Sequence, residues 1–432
     1  MGRKRSYTPL NVFLNTRCVG QLIRESSGAI GFTYDQNWLA WEHRMPVSLS
    51  LPLRPDRYMG APVIALFDNL LPDYETSRRR VAKHVGAEGI DAFSLLSKIG
   101  RDCAGALQLL PDGESPGPTG VLTGEPLSEE QIASTLKNLE MTPLGIRKER
   151  NFRISVAGGQ EKTALLFKDG QWLEPTGTTP TTHILKPQIG ILPNGIDLSD
   201  SVENEYFCLK IMEGFGLRAA QAHIARFGDQ KALVVERFDR RWTADGRLIR
   251  LPQEDCCQAL SVPPTRKYQN EGGPGIVEIM NLLRRSDDPA RDRLDFFKAT
   301  VLFWLVGAAY GHAKNFSLGL LPGGRFRMTP LYDVLTVQPN FDARKISQRD
   351  YRLAMHAGKS NQYKVTNILG RHFKETGDQS GLSAKWISDL FDEIRASAER
   401  ALNTTIAALP DDFPKPIAES TSAAIRKRML LM

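Results

Sequence analysis

The sequence contains little cysteine and lacks any long apolar run. Five cysteines in 432 residues are odd in number and none form a Cys-x-x-Cys pair, so neither a disulfide framework nor a zinc site is expected. No segment approaches the ~18 consecutive apolar residues of a membrane-spanning helix. The basic first residues are not followed by the apolar stretch of a secretory signal. We therefore expect a protein of the reducing cytoplasm with no membrane association.

The composition is that of a globular protein with a modest basic excess. Hydrophobic residues make up 41% and charged residues 24% of the chain, which excludes wholesale disorder. The net charge of +7 permits contact with phosphates or nucleic acid but does not require it.

The length predicts two or three domains at about 150 residues each. Residues 1–115 read as a small α/β sub-domain, with a loop at Pro111–Pro118. Residues 145–240 are β-rich with one helix at Val202–Gly214, and residues 241–432 are mostly helical. This order, β-rich and then helical, is the outline of an α+β, protein-kinase-like two-lobed fold.

Local patterns predict individual elements. Ala92–Ile99 and Asp292–Ala309 show helical patterns, the first stopped by Gly100. Phe67–Pro72 is predicted to open an arginine-rich helix. Val47–Leu53 and Ile154–Val156 are predicted as strands.

The segment Ser155–Thr163 contains two glycines, a lysine and a threonine. A Walker A loop requires Gly-x-x-x-x-Gly-Lys-Ser/Thr, and Glu161 stands where that pattern needs glycine. A glycine-containing loop can still place backbone N–H groups on phosphate oxygens. A β-hairpin turn is the alternative, and the segment alone favours it.

Two further features occupy positions expected in a kinase. Lys186 ends an apolar strand, where a kinase lysine holds the α- and β-phosphates and pairs with a glutamate of the next helix, here Glu203 or Glu205. A strand-end lysine reaching water is equally compatible. Val234–Arg240 stands where a kinase hinge binds adenine, or is an ordinary strand end.

The segment Tyr310–Asn315 follows the buried helix. Asn315 has the spacing of Asp-x-x-x-x-Asn in a kinase catalytic loop, but position 310 carries tyrosine. Asp333 follows a short apolar strand and, with Asn315, offers the oxygen ligands that magnesium prefers. A turn or N-cap aspartate is the alternative for Asp333. Loop, lysine, glutamate, hinge, asparagine and aspartate nevertheless occur together in kinase order.

Motifs spread over nearly the whole chain resemble one family. They are Leu49–Leu53, Phe67–Pro72, Phe152–Leu166, Pro180–Lys186, Val235–Arg240, Leu251–Asp255, Gly311–Ser317 and Pro330–Asp333. They are similar to those of the HipA family, the kinase toxins of bacterial HipA–HipB toxin–antitoxin pairs.

The resemblance implies a HipA-type fold and a serine/threonine-protein kinase that uses ATP and Mg²⁺. It implies a catalytic group of Tyr310 (at the position of the family aspartate), His312, Asn315 and Asp333, with Asn315 and Asp333 as metal ligands. The implied nucleotide-binding residues are Ala157, Gly158, Gly159, Gln160, Glu161, Lys162, Lys186, Glu236, Phe238, His312, Lys314, Asn315, Tyr332 and Asp333.

The resemblance also implies partners and regulation. Ser155 matches a serine whose autophosphorylation pulls the loop out of the site and switches the kinase off. The implied target is glutamyl-tRNA synthetase, whose phosphorylation arrests growth and produces persistence. A HipB-like helix-turn-helix antitoxin binds operator DNA, and the toxin joins as co-repressor. Arg371 matches a position near that DNA, although a solvated surface arginine is equally compatible.

Tyr310 departs from the family pattern. An aspartate can accept the proton of the substrate hydroxyl, whereas tyrosine has a pKa near 10 and is larger. Loss of a positioned base costs on the order of 10²–10⁴ in rate. Two interpretations stay open: a kinase toxin with impaired catalysis, or a non-catalytic pseudokinase that acts as an antitoxin-bound co-repressor.

Overall fold

Strands are concentrated in the first part of the chain and long helices in the last. A computed structural model describes residues 7–118, 120–146, 152–191 and 196–432. The strands in these residues are β1 (Leu10–Leu14), β2 (Arg17–Arg24), β3 (Ile30–Tyr34), β4 (Tyr58–Met59), β5 (Leu107–Pro111), β6 (Gly124–Pro126), β7 (Thr163–Lys168), β8 (Gln171–Pro175), β9 (His183–Pro187), β10 (Gly190–Ile191), β11 (Asp197–Leu198), β12 (Ala222–Phe227), β13 (Gln230–Glu236), β14 (Arg240–Trp242), β15 (Leu248–Arg250), β16 (Gln253–Asp255), β17 (Ser317–Leu321), β18 (Arg325–Met328), β19 (Arg352–Ala357) and β20 (Gln362–Lys364). The helices are α1 (Gln36–Ala40), α2 (Ala61–Asp68), α3 (Glu75–Val85), α4 (Ala92–Ile99), α5 (Glu129–Lys137), α6 (Ser201–Gly214), α7 (Cys256–Ala259), α8 (Ile276–Leu282), α9 (Pro289–Val306), α10 (Gln338–Asp342), α11 (Gly370–Gln379), α12 (Ala384–Ala407) and α13 (Lys415–Met429).

The described residues form two compact units. Unit 1 lies within Met1–Pro187, Ala225–Thr265 and Leu318–Phe326, and unit 2 within Gln188–Ile224, Arg266–Ser317 and Arg327–Met432. The predicted domains 1–115, 145–240 and 241–432 stay a prediction.

The first sheet of unit 1 is antiparallel, with strand order β4-β3-β2-β1-β5. Alternating apolar residues of its strands, including Val12 and Phe32, are fully buried. They belong to one core with Phe67 of α2 and Leu96 of α4. The helices therefore cover one face of this sheet, as expected when half of each strand is apolar.

A second sheet of unit 1 places two predicted site residues in regular structure. Strands β13, β9, β7, β8 and β6 lie side by side in that order. Lys186 on β9 lies opposite Leu233 on β13, and Thr163 at the start of β7 lies opposite Leu185. This register fixes Thr163, which follows the phosphate loop, and Lys186 in neighbouring strands of one sheet.

Helix α9 is the central helix of unit 2. Asp288 caps its N-terminus by accepting from the N–H of Arg291 (3.1 Å), and Gly307 ends it in the left-handed conformation (φ 76°). Phe297 and Trp304 are fully buried, with ring centroids 6.3 Å and 5.6 Å from that of Phe373 on α11. A helix buried on nearly all sides ends here at the candidate catalytic segment.

Several sequence predictions are confirmed and three are wrong. The helix at Ala92–Ile99 is confirmed residue for residue. Phe67–Pro72 does not open a helix, because α2 ends at Asp68 and α3 begins at Glu75. Val47–Leu53 and Ile154–Val156 are not strands, because their polar groups bond to single distant residues instead of a neighbouring strand.

No helix in the described part of the chain is both long and apolar enough to cross a membrane. The five cysteines are free thiols, four of them buried.

Candidate functional site

The phosphate loop, defined here as Ser155–Thr163, starts from a buried serine. Ser155 is fully buried, and its hydroxyl donates to the carbonyl oxygen of Leu70 (2.6 Å). Its backbone N–H donates to the carbonyl oxygen of Asp102 (3.0 Å). The side chain and the backbone of Ser155 therefore both fix the start of the loop. An enzyme can reach the hydroxyl of Ser155 only if the segment leaves this buried position.

The two glycines of the loop lie close to other side chains, and the backbone of Gly158 has a positive φ that favours glycine. Gly158 has φ 112°, and a Cβ there would lie 2.5 Å from Nζ of Lys162. A Cβ at Gly159 would lie 2.5 Å from Cε2 of Tyr74. Lys162 is buried, and its Nζ donates to the carbonyl oxygen of Ala157 (2.7 Å). The lysine thus closes the loop on itself.

The remaining loop side chains bind elsewhere in unit 1. Gln160 Nε2 donates to the carbonyl oxygen of Pro187 (2.9 Å), beside Lys186. Glu161 Oε1 pairs with Arg80 on α3 (2.5 Å). A β-hairpin turn is not formed, since only β7 flanks the loop as a strand.

Lys186 and the hinge segment occupy neighbouring strands of unit 1. Lys186 is 6% exposed, so the alternative of a strand-end lysine in water does not hold. Glu236 ends β13 as an exposed residue, and Phe238 is half-buried just beyond it. In unit 2, Glu203 is buried and its Oε2 accepts from Gln188 Nε2 (2.8 Å).

A buried ion cluster supports the phosphate loop from Asp102. The Asp102 carboxylate accepts from Arg240 (2.8 Å) and Arg250 (2.9 Å) and pairs with Arg237 (3.3 Å). Burial would raise the pKa of Asp102, but these guanidinium groups hold it well below its ordinary value. Because the carbonyl of the same residue accepts from Ser155, the ion cluster and the loop share one anchor.

The catalytic loop, defined here as Tyr310–Asn315, follows α9 after a short turn. A Cβ at Gly311 would overlap the ring of Phe303, so only glycine allows the loop to lie this close to α9. The N–H of His312 donates to the carbonyl oxygen of Tyr310 (2.8 Å) and to Oδ1 of Asn315 (3.2 Å). The loop is therefore held by its own backbone and by Asn315.

Asn315 and Asp333, the two predicted metal ligands, are brought into direct contact. Nδ2 of Asn315 donates to Oδ2 of Asp333 (2.9 Å), and Asp333 adopts φ 59°. Beside them, the hydroxyl of Tyr332 donates to the carbonyl oxygen of Lys314 (2.7 Å). One carboxylate and one amide oxygen fit Mg²⁺, which binds few protein ligands and keeps waters and phosphate oxygens. No cluster of three or more His, Cys, Asp or Glu able to hold a metal occurs among the described residues.

Tyr310 lies in a group of aromatic rings. Its ring centroid is 6.2 Å from that of Tyr268 and 5.8 Å from that of His312, and Tyr268 and His312 meet edge to face at 4.9 Å. Nζ of Lys267 lies 6.0 Å from the centroid of Tyr310. The sequence analysis missed Lys267 and Tyr268, because they precede α9 and match no kinase motif used there.

Arg371 lies apart from this group in the first turn of α11 and is exposed. Both the predicted contact with DNA and the alternative of a solvated surface arginine require this exposure.

Two family models match most of the chain. The model of the HipA N-terminal domain matches residues 10–110, and that of the HipA-like C-terminal domain matches residues 154–402. The chain belongs to the HipA family. Y4mE of Sinorhizobium fredii, a protein named as a kinase, is 37% identical over 92% of each chain. The serine/threonine-protein kinase toxin HipA of Shewanella oneidensis is 28% identical over 98% of this chain and 94% of its own.

A solved structure has the same fold. Shewanella oneidensis HipA, in a complex with HipB and operator DNA, superposes with a TM-score of 0.79 at 24% identity, covering 97% of this chain and 96% of its own. The predicted α+β, kinase-like HipA-type fold is thereby confirmed. The family is that of HipA-type serine/threonine kinase toxins.

Proposed function

We propose that this HipA-family chain is an ATP- and Mg²⁺-dependent serine/threonine-protein kinase toxin whose phosphotransfer is impaired by Tyr310. The hydrogen bond between Asn315 and Asp333 carries the proposal, because it brings together two side chains, an amide and a carboxylate, whose oxygens can bind a metal. Such a pair is what a kinase uses to hold the metal at its nucleotide.

In this proposal the phosphate loop, Lys186 and the segment after β13 bind ATP. Backbone N–H groups of Ala157–Lys162 and the Lys162 ammonium bind phosphates after Lys162 releases the carbonyl of Ala157. Lys186 binds the α- and β-phosphates, and its near-complete burial strengthens that interaction. Glu236 and Phe238 bind adenine.

The catalytic loop and Asp333 provide the other contacts. Asn315 and Asp333 would hold Mg²⁺, which would supply positive charge to stabilise the negative charge that develops during phosphotransfer. His312, Lys314 and Tyr332 line the nucleotide. The hydroxyl of Tyr332 is held by the carbonyl of Lys314, which supports this part of the site.

Tyr310 stands where a base must accept the proton of the acceptor hydroxyl. A neutral phenol does not accept that proton at pH 7, and its ring occupies more space than a carboxylate. The rate is therefore lower by roughly 10²–10⁴ than with a positioned base.

Autophosphorylation of Ser155 is part of the proposal. The serine hydroxyl is buried against the carbonyl oxygen of Leu70, which repels a phosphate group. A phosphorylated Ser155 therefore cannot return to this seat, and the phosphate loop stays out of the site.

The proposed target is glutamyl-tRNA synthetase, whose phosphorylation arrests growth and leads to persistence. The proposed partner is a HipB-like helix-turn-helix antitoxin, through which the chain joins operator DNA with Arg371 near the backbone. The support is the complex in which the Shewanella relative was solved. We place this activity in the cytoplasm.

A second candidate is a non-catalytic pseudokinase that acts as an antitoxin-bound operator co-repressor. The observation that favours it is the aromatic group around Tyr310, which puts a ring where phosphotransfer needs a base. The two candidates share the fold and differ in phosphotransfer.

Phosphotransfer from labelled ATP separates them. The native chain, Tyr310→Asp and Tyr310→Asn are compared, with glutamyl-tRNA synthetase and Ser155 of the chain itself as acceptors. ATP binding is measured by calorimetry with and without Mg²⁺. The asparagine variant matches aspartate in size but provides no base.

We expect ATP binding in all three proteins and rapid transfer only in Tyr310→Asp. Binding without transfer in every variant supports the co-repressor. Absence of ATP binding contradicts the kinase proposal. Phosphotransfer to Ser155 but not to glutamyl-tRNA synthetase would support the kinase activity and contradict the proposed target.

A further inference from the structure

A buried lysine lies beside the side chain at position 310. Lys267 is 7% exposed, and its Nζ is 5.7 Å from the ring centroid of Tyr268 and 6.0 Å from that of Tyr310. Both distances are within the range of a cation–π contact. Tyr268 also contacts His312 edge to face. Lys267 and Tyr268 therefore both lie next to the catalytic loop, although neither belongs to it.

The backbone that carries Lys267 is fixed by a tight turn. The carbonyl oxygen of Tyr268 accepts from the N–H of Glu271 (3.0 Å) and of Gly273 (2.9 Å). A Cβ at Gly273 would overlap the carbonyl oxygen of Arg266, so only glycine completes this turn. The side chain of Gln269 accepts from the N–H of His356 (2.9 Å), which anchors the turn to β19. The position of Lys267 is therefore imposed by the fold.

We infer that Lys267 is a positioning residue for the side chain at position 310. It holds the ring of Tyr310 here, and in Tyr310→Asp it holds the carboxylate on the same side of the catalytic loop. This inference rests on the proposed function for its consequence in catalysis.

The same ammonium suits both side chains for one electrostatic reason. The face of an aromatic ring carries partial negative charge, and a carboxylate carries a full one. Because Lys267 is buried, its attraction to either group is weakly screened. Tyr268, on the turn of Lys267, and His312, on the catalytic loop, are titratable groups that also face position 310.

The contact is tested first in the native chain, where no catalysis is needed. Tyrosine is replaced by 3-fluorotyrosine, and the Tyr310 resonance is assigned with Tyr310→Phe. We expect this ¹⁹F resonance to shift in Lys267→Met and to return in Lys267→Arg. Lys359→Met, at an exposed lysine paired with Asp378, is the matched control and leaves it unchanged. Lys267→Gln replaces the methionine variant if that variant does not fold.

The consequence is tested by phosphotransfer in the Tyr310→Asp chain. Adding Lys267→Met is expected to lower kcat roughly 10- to 100-fold, as misplacement of a catalytic group does, with the Kd for ATP unchanged. Adding Lys267→Arg restores most of the rate.

The two assays distinguish the ways of failing. If the ¹⁹F resonance of Tyr310 has the same chemical shift in Lys267→Met as in the native chain, the inference is wrong, whatever the kinetic result. A shift of that resonance, with no transfer by Tyr310→Asp alone, keeps the contact and refutes the proposed function. An equal loss of kcat and ATP affinity would assign Lys267 a merely structural role.

Discussion

The phosphate loop and the catalytic loop are held in different ways. In the phosphate loop, Ser155, Gln160 and Lys162 each donate to a backbone carbonyl, and Glu161 pairs with Arg80. In the catalytic loop, Asn315 already contacts its predicted partner Asp333. Under the proposed function, the phosphate loop exchanges these protein contacts for phosphates, whereas Asn315 and Asp333 are already in contact.

This difference predicts how each loop responds to a substitution. Under the proposed function, the contacts of the phosphate loop compete with phosphate binding, and phosphorylation of Ser155 would shift that competition. The catalytic loop departs from kinase chemistry at one side chain, Tyr310. A single substitution is therefore expected to change chemistry in unit 2, whereas in unit 1 it changes stability and affinity.

The largest effect is expected from breaking the assembled pair. In the Tyr310→Asp chain, Asp333→Asn removes the metal-binding carboxylate and should return phosphotransfer to the native level, a loss of at least about 10²–10⁴-fold. Steady-state transfer from labelled ATP measures it. Asp350→Asn, at an exposed aspartate bonded to Ser347, is the control. Retention of transfer by the Asp333 variant would show that the pair is not a metal site.

The next effect concerns the support of the phosphate loop. Asp102→Asn leaves three buried arginines with one fewer carboxylate, and we expect the free energy of unfolding of unit 1 to fall by about 3–5 kcal/mol. Denaturant titration measures the loss. Asp245→Asn removes an exposed pair with Arg247 and is expected to leave the free energy of unfolding nearly unchanged. Equal losses in both variants would mean that the cluster contributes no more than a surface pair.

Local signals predicted the parts of the molecule whose causes are local. The sequence predicts helix α4 at its observed ends from its apolar pattern and Gly100, and the structure adds a cap from Asp91. Asn315 and Asp333 follow kinase motif order in the sequence, and the structure joins them by a hydrogen bond.

Long-range contacts explain what the sequence could not indicate. Val47–Leu53 has the apolar pattern of a strand, but the N–H of Leu49 donates to Glu254 (2.8 Å), and Ser48 donates to the same carboxylate. Lys267 likewise reaches Tyr310 only through the fold. No periodicity within a short window records either contact.

Glu254 predicts a pH dependence for unit 1. Burial raises the pKa of this carboxyl group from 4.5 to about 8, despite hydrogen bonds from Leu49 and Ser48. Because the folded pKa lies above the unfolded one, the stability it contributes is fully present below about pH 4.5 and is lost as pH rises through about 8. We expect unfolding free energy to fall by roughly 2–3 kcal/mol between pH 5 and 7.5 from this group.

The pH series is measured by denaturant titration of the native chain and Glu254→Gln. Because the amide of Glu254→Gln does not ionise, the variant should lack this fall in the free energy of unfolding with pH. At pH 8 it should be more stable than the native chain. An unchanged slope would mean that Glu254 is ionised in the folded chain and that its two donors outweigh its burial.

The smallest effect is expected at Ser155. Ser155→Ala removes the hydroxyl that donates to the carbonyl of Leu70, which should lower the free energy of unfolding by about 1 kcal/mol. Ser397→Ala, at a helix-surface hydroxyl bonded to the carbonyl of Glu393, is the control and should cost less.

Hydrogen exchange decides whether the Ser155 contact matters to the loop itself. If the hydrogen bond from Ser155 to Leu70 keeps the phosphate loop in its present position, the amides of residues 155–162 exchange faster in Ser155→Ala. The amides of residues 310–315 then exchange at an unchanged rate. Faster exchange in both loops would mean that the variant loosens the whole protein. Unchanged exchange in the phosphate loop would mean that Lys162 and Gln160 hold it without the serine, and phosphorylation would then have to overcome those contacts as well.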